Sequence, residues 1–231
     1  MARKVLKFYL NIFLDLQQMK VLIVCATKKE VLTFFKRKKR FDFLVTGVGM
    51  VATTFQMAKH LSEKKYDLVL NVGIAGSFNK EIEKCEVVNV TEDRFADLGA
   101  EDRERFIDVF EMGLESKNKF PFKNGVIKSA SAINLKTLLD LRTVKGITVN
   151  RVHGNEKSIS KIKSKYSPDI ETMEGAACFY VCAFWKIPCV QVRSISNYIE
   201  KRNRNNWDIE GAVKSLNIFI QKFLDELSDN R

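Results

Sequence analysis

Short, unbroken runs of apolar residues recur along this 231-residue chain and constrain its fold more than any other feature. The first run covers residues 21–26, and runs of the same character cover residues 43–46, 67–72 and 189–193. Runs that do not alternate with polar residues are typical of strands covered on both faces. Helical patterns separate these runs. The chain is therefore predicted to be an α/β protein, a three-layer α/β/α fold with a central mixed, mostly parallel sheet flanked by helices.

The remaining predicted elements complete this alternation. Shorter strands are predicted at residues 86–91, 125–128, 147–150 and 170–171. Helices are predicted from Lys28 to about Lys38 with Thr27 as N-cap, from residue 50 to about Glu63, and at 155–166, 174–185 and 207–227. No repeat or linker divides the chain, so residues 19–231 are expected to form one domain.

The first eighteen residues need a separate interpretation. Their basic start and apolar middle suggest a signal peptide, but Asn11 and Asp15 interrupt the apolar stretch and no cleavage site follows. Residues 1–18 are therefore expected to be an upstream extension outside the core. No apolar run reaches the roughly 20 residues that a membrane span needs, so no membrane association is expected.

Charge and cysteine content restrict the classes of partner. The net charge of +11 leaves a non-catalytic nucleic-acid binder as an alternative class. The densest basic run, residues 36–40, contains no aromatic residue and is interpreted as a solvated helix end. Five cysteines without a C-x-x-C pair and only two histidines argue against disulfides and a metal site. Cys178 and Cys182 are interpreted as small core residues, and free thiols favour a cytoplasmic location.

Glycines and polar residues collect where the predicted strands end. The four segments are residues 47–49, 71–76, 171–175 and 194–197. In open α/β sheets, ligands bind beyond the carboxyl ends of strands, and glycine lets backbone N–H groups approach them. Each segment alone would equally suit an ordinary tight turn.

Glu174 is the most specific of these residues. It directly precedes a predicted helix that begins Gly175-Ala176-Ala177, where the helix dipole keeps a carboxylate ionised. An ionised carboxylate accepts two hydroxyl hydrogen bonds and therefore suits a ribose diol. Taken alone, Glu174 could equally be an acidic residue at a helix N-terminus.

The order of these segments carries a resemblance. Glu30, followed by residues 47–49, 71–76, 172–175 and 193–197, resembles the nucleoside phosphorylase-like family from Met19 to the C-terminus. Within it, the match is to the nucleosidase branch that includes methylthioadenosine/S-adenosylhomocysteine nucleosidases. Residues 95–99, 106–113 and 197–204 look most like the futalosine hydrolases of that branch. The resemblance implies a nucleosidase domain that hydrolyses futalosine to hypoxanthine and dehypoxanthine futalosine for menaquinone biosynthesis. It also implies a homo-oligomer that needs no cofactor or metal and binds no nucleic acid.

The resemblance also implies roles for individual residues. Glu30 matches the glutamate that orients and deprotonates the attacking water, and Glu174 matches the carboxylate on the sugar hydroxyls. Asn197 occupies the position of the catalytic residue at the base. The substrate-binding positions are Gly49, Ile74, Ala75, Gly76, Val152, His153, Thr172, Met173, Glu174, Ser196, Arg202 and Arg204.

Two departures from the family pattern refine this expectation. Asn197 stands where adenine-cleaving nucleosidases carry aspartate, and an amide offers a donor for O6 and an acceptor for protonated N7. A 6-oxo purine is therefore expected. Asn71 stands where purine nucleoside phosphorylases carry arginine, which favours water over phosphate as nucleophile, although Lys28 and Lys29 keep phosphate open.

Several readings remain open at this point. His153 is either a ligand of the base or a structural histidine. Arg202 and Arg204 either bind the benzoate end of futalosine or are solvated loop residues. Trp207 and Phe95 either cover the substrate or fill the core. A methylthioadenosine/S-adenosylhomocysteine nucleosidase or a purine nucleoside phosphorylase remains the alternative activity.

Overall fold

The computed structural model describes residues 19–31, 41–129 and 133–229. The expected extension at residues 1–18 and the basic run at residues 36–40 lie outside the described residues. One large sheet dominates the described part of the chain. Its strands are β1 Val21–Cys25, β2 Asp42–Val45, β3 Leu68–Ser77, β4 Val87–Asp93, β7 Ile127–Lys128, β8 Arg142–Thr148, β9 Ile170–Thr172 and β10 Cys189–Tyr198. Between β4 and β7 in the chain, β5 Gly99–Asp102 and β6 Arg105–Asp108 form a separate hairpin.

The helices alternate with these strands. They are α1 Met50–Glu63, α2 Lys136–Leu139, α3 Glu156–Tyr166, α4 Gly175–Trp185 and α5 Ile209–Asp229, with short 3-10 turns at Lys28–Val31 and Arg204–Asn206. The predicted α/β class and the mixed, mostly parallel sheet flanked by helices are confirmed. Within the described residues, β1, β2, β3 and β10 form a parallel set, whereas β4 runs antiparallel to β10 and β9 antiparallel to β3.

The strand β3 is the centre of the sheet. Its first half pairs with β1 and its last two residues pair with β9, while β10 runs along its other edge. Because β10 continues through β4 and β8 to β9, the pairing returns to β3 and closes a barrel-like ring. The carboxyl ends of β1, β2, β3 and β10 therefore meet at one edge of the sheet.

Helices cover both faces of this sheet, as the unbroken apolar runs predict. In β1, Leu22 and Val24 pack with α1 and α4, whereas Val21 and Ile23 pack with α5. This division follows from the two-residue period of a strand, which sends successive side chains to opposite faces. Each face of β1 is therefore covered by helices.

Several boundaries differ from the predictions. The strands β3 and β10 extend to Ser77 and Tyr198, well past residues 72 and 193, and β8 begins at Arg142 rather than 147. The hairpin β5–β6 was not predicted. The chain after β1 begins as a 3-10 turn, and the residues after Val31 lie outside the described part. The last helix begins at Ile209, after a 3-10 turn. No helix among the described residues is both long and apolar enough to cross a membrane.

Candidate active site

Glu30 is held at the sheet edge by the turn that follows β1. Its carboxylate Oε2 accepts a 2.8 Å hydrogen bond from the Thr27 amide and a 3.3 Å bond from the Thr27 hydroxyl. This is half of a capping box, in which a glutamate reaches back to the N-cap residue three positions earlier. The amide of Ile74, on β3, also donates to this carboxylate. Glu30 is thus held by Thr27 within its own turn and by Ile74 on β3.

Burial sets the acidity of Glu30. The residue is 8% exposed, and burial raises the pKa of its carboxyl above the ordinary value of 4.5. The negative charge of Glu174 acts in the same direction, whereas the Thr27 amide and the Arg193 guanidinium oppose it. A carboxylate with a raised pKa is a stronger base, so Glu30 is suited to take a proton from water.

Glu174 lies across the edge from Glu30, at the start of α4. Its Oε1 accepts a 2.8 Å hydrogen bond from the amide of Gly49, in the loop after β2. Gly49 has φ +95° and ψ 164°, a conformation essentially restricted to glycine. The glycine is therefore required to aim its amide at Glu174. The half-buried Met173 immediately precedes this carboxylate.

Two threonines cap α4 in place of Glu174. The amide of Gly175 donates to the Thr172 hydroxyl at 3.2 Å, and the amide of Ala176 donates to the Thr148 hydroxyl at 2.7 Å. The Glu174 side chain makes no capping bond. Because the first helical amides are satisfied by threonines, the Glu174 carboxylate stays available at the positive end of the helix.

The Thr148 hydroxyl that caps α4 is held by the fully buried carboxyl of Asp93, which was not predicted as a site residue. Asp93 accepts hydrogen bonds from Thr148 Oγ1 at 2.9 Å, from Gln191 Nε2 at 3.1 Å and from the Arg94 amide at 2.8 Å. Burial raises the pKa of Asp93 to about 6. Gln191 stands between two valines of β10, and a polar residue at such a position is the signal that could have found it. Asp93 follows Thr91 and Glu92 and therefore carries no such signal.

Asn71 and Arg193 form a second buried pair behind Glu30. A guanidinium N–H of Arg193 donates to Asn71 Oδ1, and Arg193 Nη1 donates to the Val192 carbonyl at 3.1 Å. The Asn71 amide donates to the Val24 carbonyl at 3.3 Å. Asn71, on β3, thus links β1 to β10. The buried Arg193 guanidinium, whose role was not predicted from sequence, acts on Glu30 as a positive charge, whereas Lys28 and Lys29 are exposed.

A bulge in β10 orients Asn197. Ile195 pairs with Ala75 and Asn197 pairs with Gly76, so Ser196 is the extra residue and the alternation of side chains reverses there. Ser196 Oγ lies 2.8 Å from Asn197 Oδ1 and 3.2 Å from the Ala75 carbonyl. Asn197 Nδ2 donates to the Tyr198 carbonyl at 3.1 Å. One amide N–H and one carbonyl lone pair of Asn197 remain for a ligand.

His153 is joined to the same edge through Glu171. Glu171 pairs with Gly76 from the side of β3 opposite Asn197. Its buried carboxylate accepts the His153 amide at 2.9 Å and contacts His153 Nδ1. This contact leaves Nε2 as the ring nitrogen open to a ligand. Glu171 is a further buried polar residue whose role was not anticipated.

The other predicted site residues occupy three kinds of position. Ile74, Ala75 and Gly76 lie on β3 between Glu30 and Asn197, and Val152 is 38% exposed beside His153. The guanidinium carbons of Arg202 and Arg204 lie 5.0 and 5.8 Å from the centre of the Trp207 ring. Phe95 packs with Phe122 and Tyr180, which supports the core reading of that residue.

A cleft of about 570 Å³ also borders this region, between the β5–β6 hairpin and α3. His153 and Arg151 line one side of it, and Arg105 and Lys165 line the other. Glu30, Glu174 and Asn197 are not among its lining residues. The convergent carboxylates therefore define the candidate site, and the cleft adjoins its His153 side.

Proteins of similar sequence and fold indicate the family of this chain. A family model described as the phosphorylase superfamily matches residues 20–228. A futalosine hydrolase of Streptomyces coelicolor is 27% identical over 83% of this chain and 81% of its own length. A 5′-methylthioadenosine/S-adenosylhomocysteine nucleosidase of Psychromonas ingrahamii is 25% identical over 79% of this chain and 80% of its own length. The futalosine hydrolase structure of Helicobacter pylori has a TM-score of 0.75 at 16% identity, covering 90% and 98% of the two chains.

The match to the family model spans most of the chain and includes every segment that forms the candidate site. The chain therefore belongs to the phosphorylase superfamily, and its relatives lie in the nucleosidase branch of that superfamily.

Proposed function

We propose that this chain, a hydrolase of N-glycosyl bonds, cleaves futalosine with water to hypoxanthine and dehypoxanthine futalosine, a step of menaquinone biosynthesis. The observation that carries the proposal is the Asn197 amide, which keeps one donor and one acceptor beside Gly76. The similarity to the Streptomyces futalosine hydrolase supports it. Free buried thiols favour the cytoplasm as its location.

Asn197 selects the base. A 6-oxo purine presents an acceptor at O6 and, once protonated, a donor at N7. The free N–H of Asn197 complements O6 and the free lone pair of its Oδ1 complements the N7 proton. Adenine presents an amino donor at position 6, which would leave an amide donor unpaired. Such unpaired buried groups allow discrimination by several powers of ten.

His153 is proposed as a second residue that recognises the base. When its Nδ1–H donates to Glu171, the neutral imidazole presents a lone pair at Nε2. The N1 atom of hypoxanthine carries a hydrogen, whereas N1 of adenine is an acceptor. His153, next to Val152, therefore complements the N1–H of hypoxanthine, on the edge next to the O6 and N7 atoms that Asn197 binds.

Glu174 holds the ribose. Its Oε1 takes the Gly49 amide, which leaves the remaining lone pairs of the carboxylate for the two ribose hydroxyls. Met173 packs beside the sugar, and Ile74 to Gly76 form the floor between the sugar and the base. Thr172 and Ser196 position other groups of the site. The hydroxyl of Thr172 caps α4, and the hydroxyl of Ser196 contacts Asn197.

Cleavage then follows a dissociative course. As the purine leaves, the electron pair of the glycosidic bond is taken up by the purine ring, and solvent water supplies the N7 proton. Positive charge meanwhile builds on the ribose near Glu174. Water polarised by Glu30 attacks the anomeric carbon and gives a proton to that carboxylate. Glu30 then releases this proton to solvent, where it neutralises the hydroxide left by the protonation of N7. The raised pKa of Glu30 is the property that this step needs.

Water is favoured over phosphate by the surroundings of Asn71. A phosphate co-substrate is bound by cationic, bidentate donors. The Asn71 side chain is hydrogen-bonded to Val24 and Arg193, and two N–H groups of the buried Arg193 are used on Asn71 and Val192. Lys28 and Lys29 are exposed rather than buried at the site.

Arg202 and Arg204 bind the benzoate of futalosine. Both guanidinium groups stack on Trp207, and the Arg202 amide donates to the Gly154 carbonyl at 3.1 Å, which ties this loop to the residue after His153. Paired guanidinium groups recognise a carboxylate through several N–H donors.

The enzyme is proposed to be a homo-oligomer formed through α1. Val51 and Phe55, which are 81% and 63% exposed, lie on the outer side of this helix, close to the Gly49 loop. Exposed apolar residues of this size are typical of interfaces. Residues 19–231 are proposed to be one nucleosidase domain, an extent that the family match to residues 20–228 supports.

The test is a substrate panel of futalosine, methylthioadenosine and inosine, each with and without phosphate. Hypoxanthine release from futalosine without phosphate is expected. A requirement for phosphate would overturn the hydrolase proposal in favour of a phosphorylase. Adenine release from methylthioadenosine at comparable kcat/KM would favour the second candidate, a methylthioadenosine/S-adenosylhomocysteine nucleosidase, to which the Psychromonas relative points.

A further inference from the structure

Three cysteines meet in the core behind the candidate site. Cys178 and Cys182 lie one turn apart on α4, and Cys189 begins β10. Their sulfur atoms all lie within 4.8 Å of one another, and those of Cys178 and Cys189 are 3.7 Å apart. All three side chains are buried. Cys189 thus joins Cys178 and Cys182, which were predicted as core residues, to form a cluster of three thiols.

The spacing of the sulfurs suits one metal ion. Zinc–thiolate bonds are about 2.3 Å long, so three sulfurs around one ion stand about 3.8–4.0 Å apart. The distance between Cys178 and Cys189 is already close to this value, and Cys182 needs to move by less than one ångström. Soft thiolate ligands select thiophilic cations over Mg²⁺ or Ca²⁺.

Charge also favours a divalent ion at this position. Three thiolates and one divalent cation carry a net charge of −1. The guanidinium of Arg193 is buried and acts on Cys178 as a positive charge. The buried anion that binding creates therefore has its counter-ion in place.

We propose that Cys178, Cys182 and Cys189 form a binding site for one divalent thiophilic cation, such as Cd²⁺ or Zn²⁺. On binding, each sulfur forms one bond to the metal, and the thiol protons leave to solvent, with no change of oxidation state. The bound ion ties α4, which begins after Glu174, to β10, which carries Asn197. The alternative is that the three residues act only as small apolar side chains in the core.

Cadmium is the probe that tests the site. Reduced, chelator-treated protein is titrated with Cd²⁺ while the ultraviolet sulfur-to-metal absorption band and the release of protons are followed. Saturation at one ion per chain is expected, together with a rise in Tm, because a ligand that binds only the folded state stabilises it. These measurements do not depend on which nucleoside is cleaved, so failure of this proposal and failure of the proposed function are distinguishable.

Matched variants assign the band to these sulfurs. Cys182→Ala is expected to lose at least tenfold in Cd²⁺ affinity, whereas Cys85→Ala, which alters a half-buried thiol bonded to Asp208, keeps the wild-type titration. Cys182→Ala removes one sulfur from the core, and circular dichroism verifies that it is folded. A folded wild-type protein without the band, or a Cys182→Ala titration equal to that of the wild type, would overturn the proposal.

Discussion

Glu174 accepts the amide hydrogen of Gly49 at 2.8 Å, although the two residues are 125 positions apart in the chain. The bond joins the loop after β2 to the start of α4 and so fixes the carboxylate proposed to hold the ribose. Gly49 adopts φ +95°, which a residue with a side chain enters only at a cost of about 1–3 kcal/mol.

Gly49→Ala is therefore expected to raise KM for the nucleoside about tenfold or more, because relief of the strain turns the amide away from Glu174. Gly113→Ala is the matched control, since Gly113 also has positive φ, at +71°, but lies in a loop with open space around it. Both variants should lose stability, measured by Tm, but only Gly49→Ala should change KM. Equal kinetics for the two variants would refute the role of this bond.

Glu30 should set the acidic limb of the activity profile. The proposed base works only when ionised, and burial raises its pKa above 4.5. Activity should therefore fall with decreasing pH earlier than it would for an exposed glutamate. Glu30→Gln should lose about 10²–10⁴ in kcat, and its residual activity should not follow that limb. The control is Lys29→Gln, at the exposed neighbouring position, which should give the kcat–pH profile of the wild type. An unchanged kcat in Glu30→Gln would exclude Glu30 as the base that activates water.

Asp93 should make the folded protein less stable as pH rises through the acid range. Its pKa is 3.8 in the unfolded chain and about 6 in the folded protein, so between these values the folded state binds more protons. The free energy of unfolding should then decrease between pH 4 and 6, by on the order of 3 kcal/mol in total.

Asp93→Asn should remove this slope without unfolding the protein. The introduced amide can donate to Gln191 once that side chain turns its Oε1, which has no hydrogen-bond partner, toward position 93. Urea unfolding at several pH values measures the effect, and Asp225→Asn on the exposed side of α5 is the control. If the slope persists in Asp93→Asn, another group is responsible for it.

Arg202 and Arg204 should matter only for substrates that carry the distal carboxylate. Arg202→Ala and Arg204→Ala are each expected to raise KM for futalosine about tenfold and to leave KM for inosine unchanged, since inosine has no benzoate. Lys201→Ala, an exposed neighbour on the same loop, should leave both values unchanged. A similar loss with inosine would indicate that these arginines only shape the loop.

Parts of this site were predictable from sequence because their signals are local. The runs of β1 and the glycines at residues 47–49 and 73–76 show where strands end, and Thr27 with Glu30 has the spacing of a capping box. The second halves of β3 and β10 were not predicted, because their glycines and polar residues are paired only in the closed ring. The roles of Asp93, Gln191, Glu171 and Arg193 were not predicted for a similar reason, because their hydrogen-bond partners are distant in sequence.

The measurement that tests the central claim most directly is a competition between futalosine and methylthioadenosine in one phosphate-free mixture. Hypoxanthine and adenine are quantified as they appear, for the wild type and for Asn197→Asp. The wild type should release hypoxanthine with at least a hundredfold preference, and Asn197→Asp should shift the ratio toward adenine. Release of adenine as the main product by the wild type, or a ratio that Asn197→Asp leaves unchanged, would contradict the account.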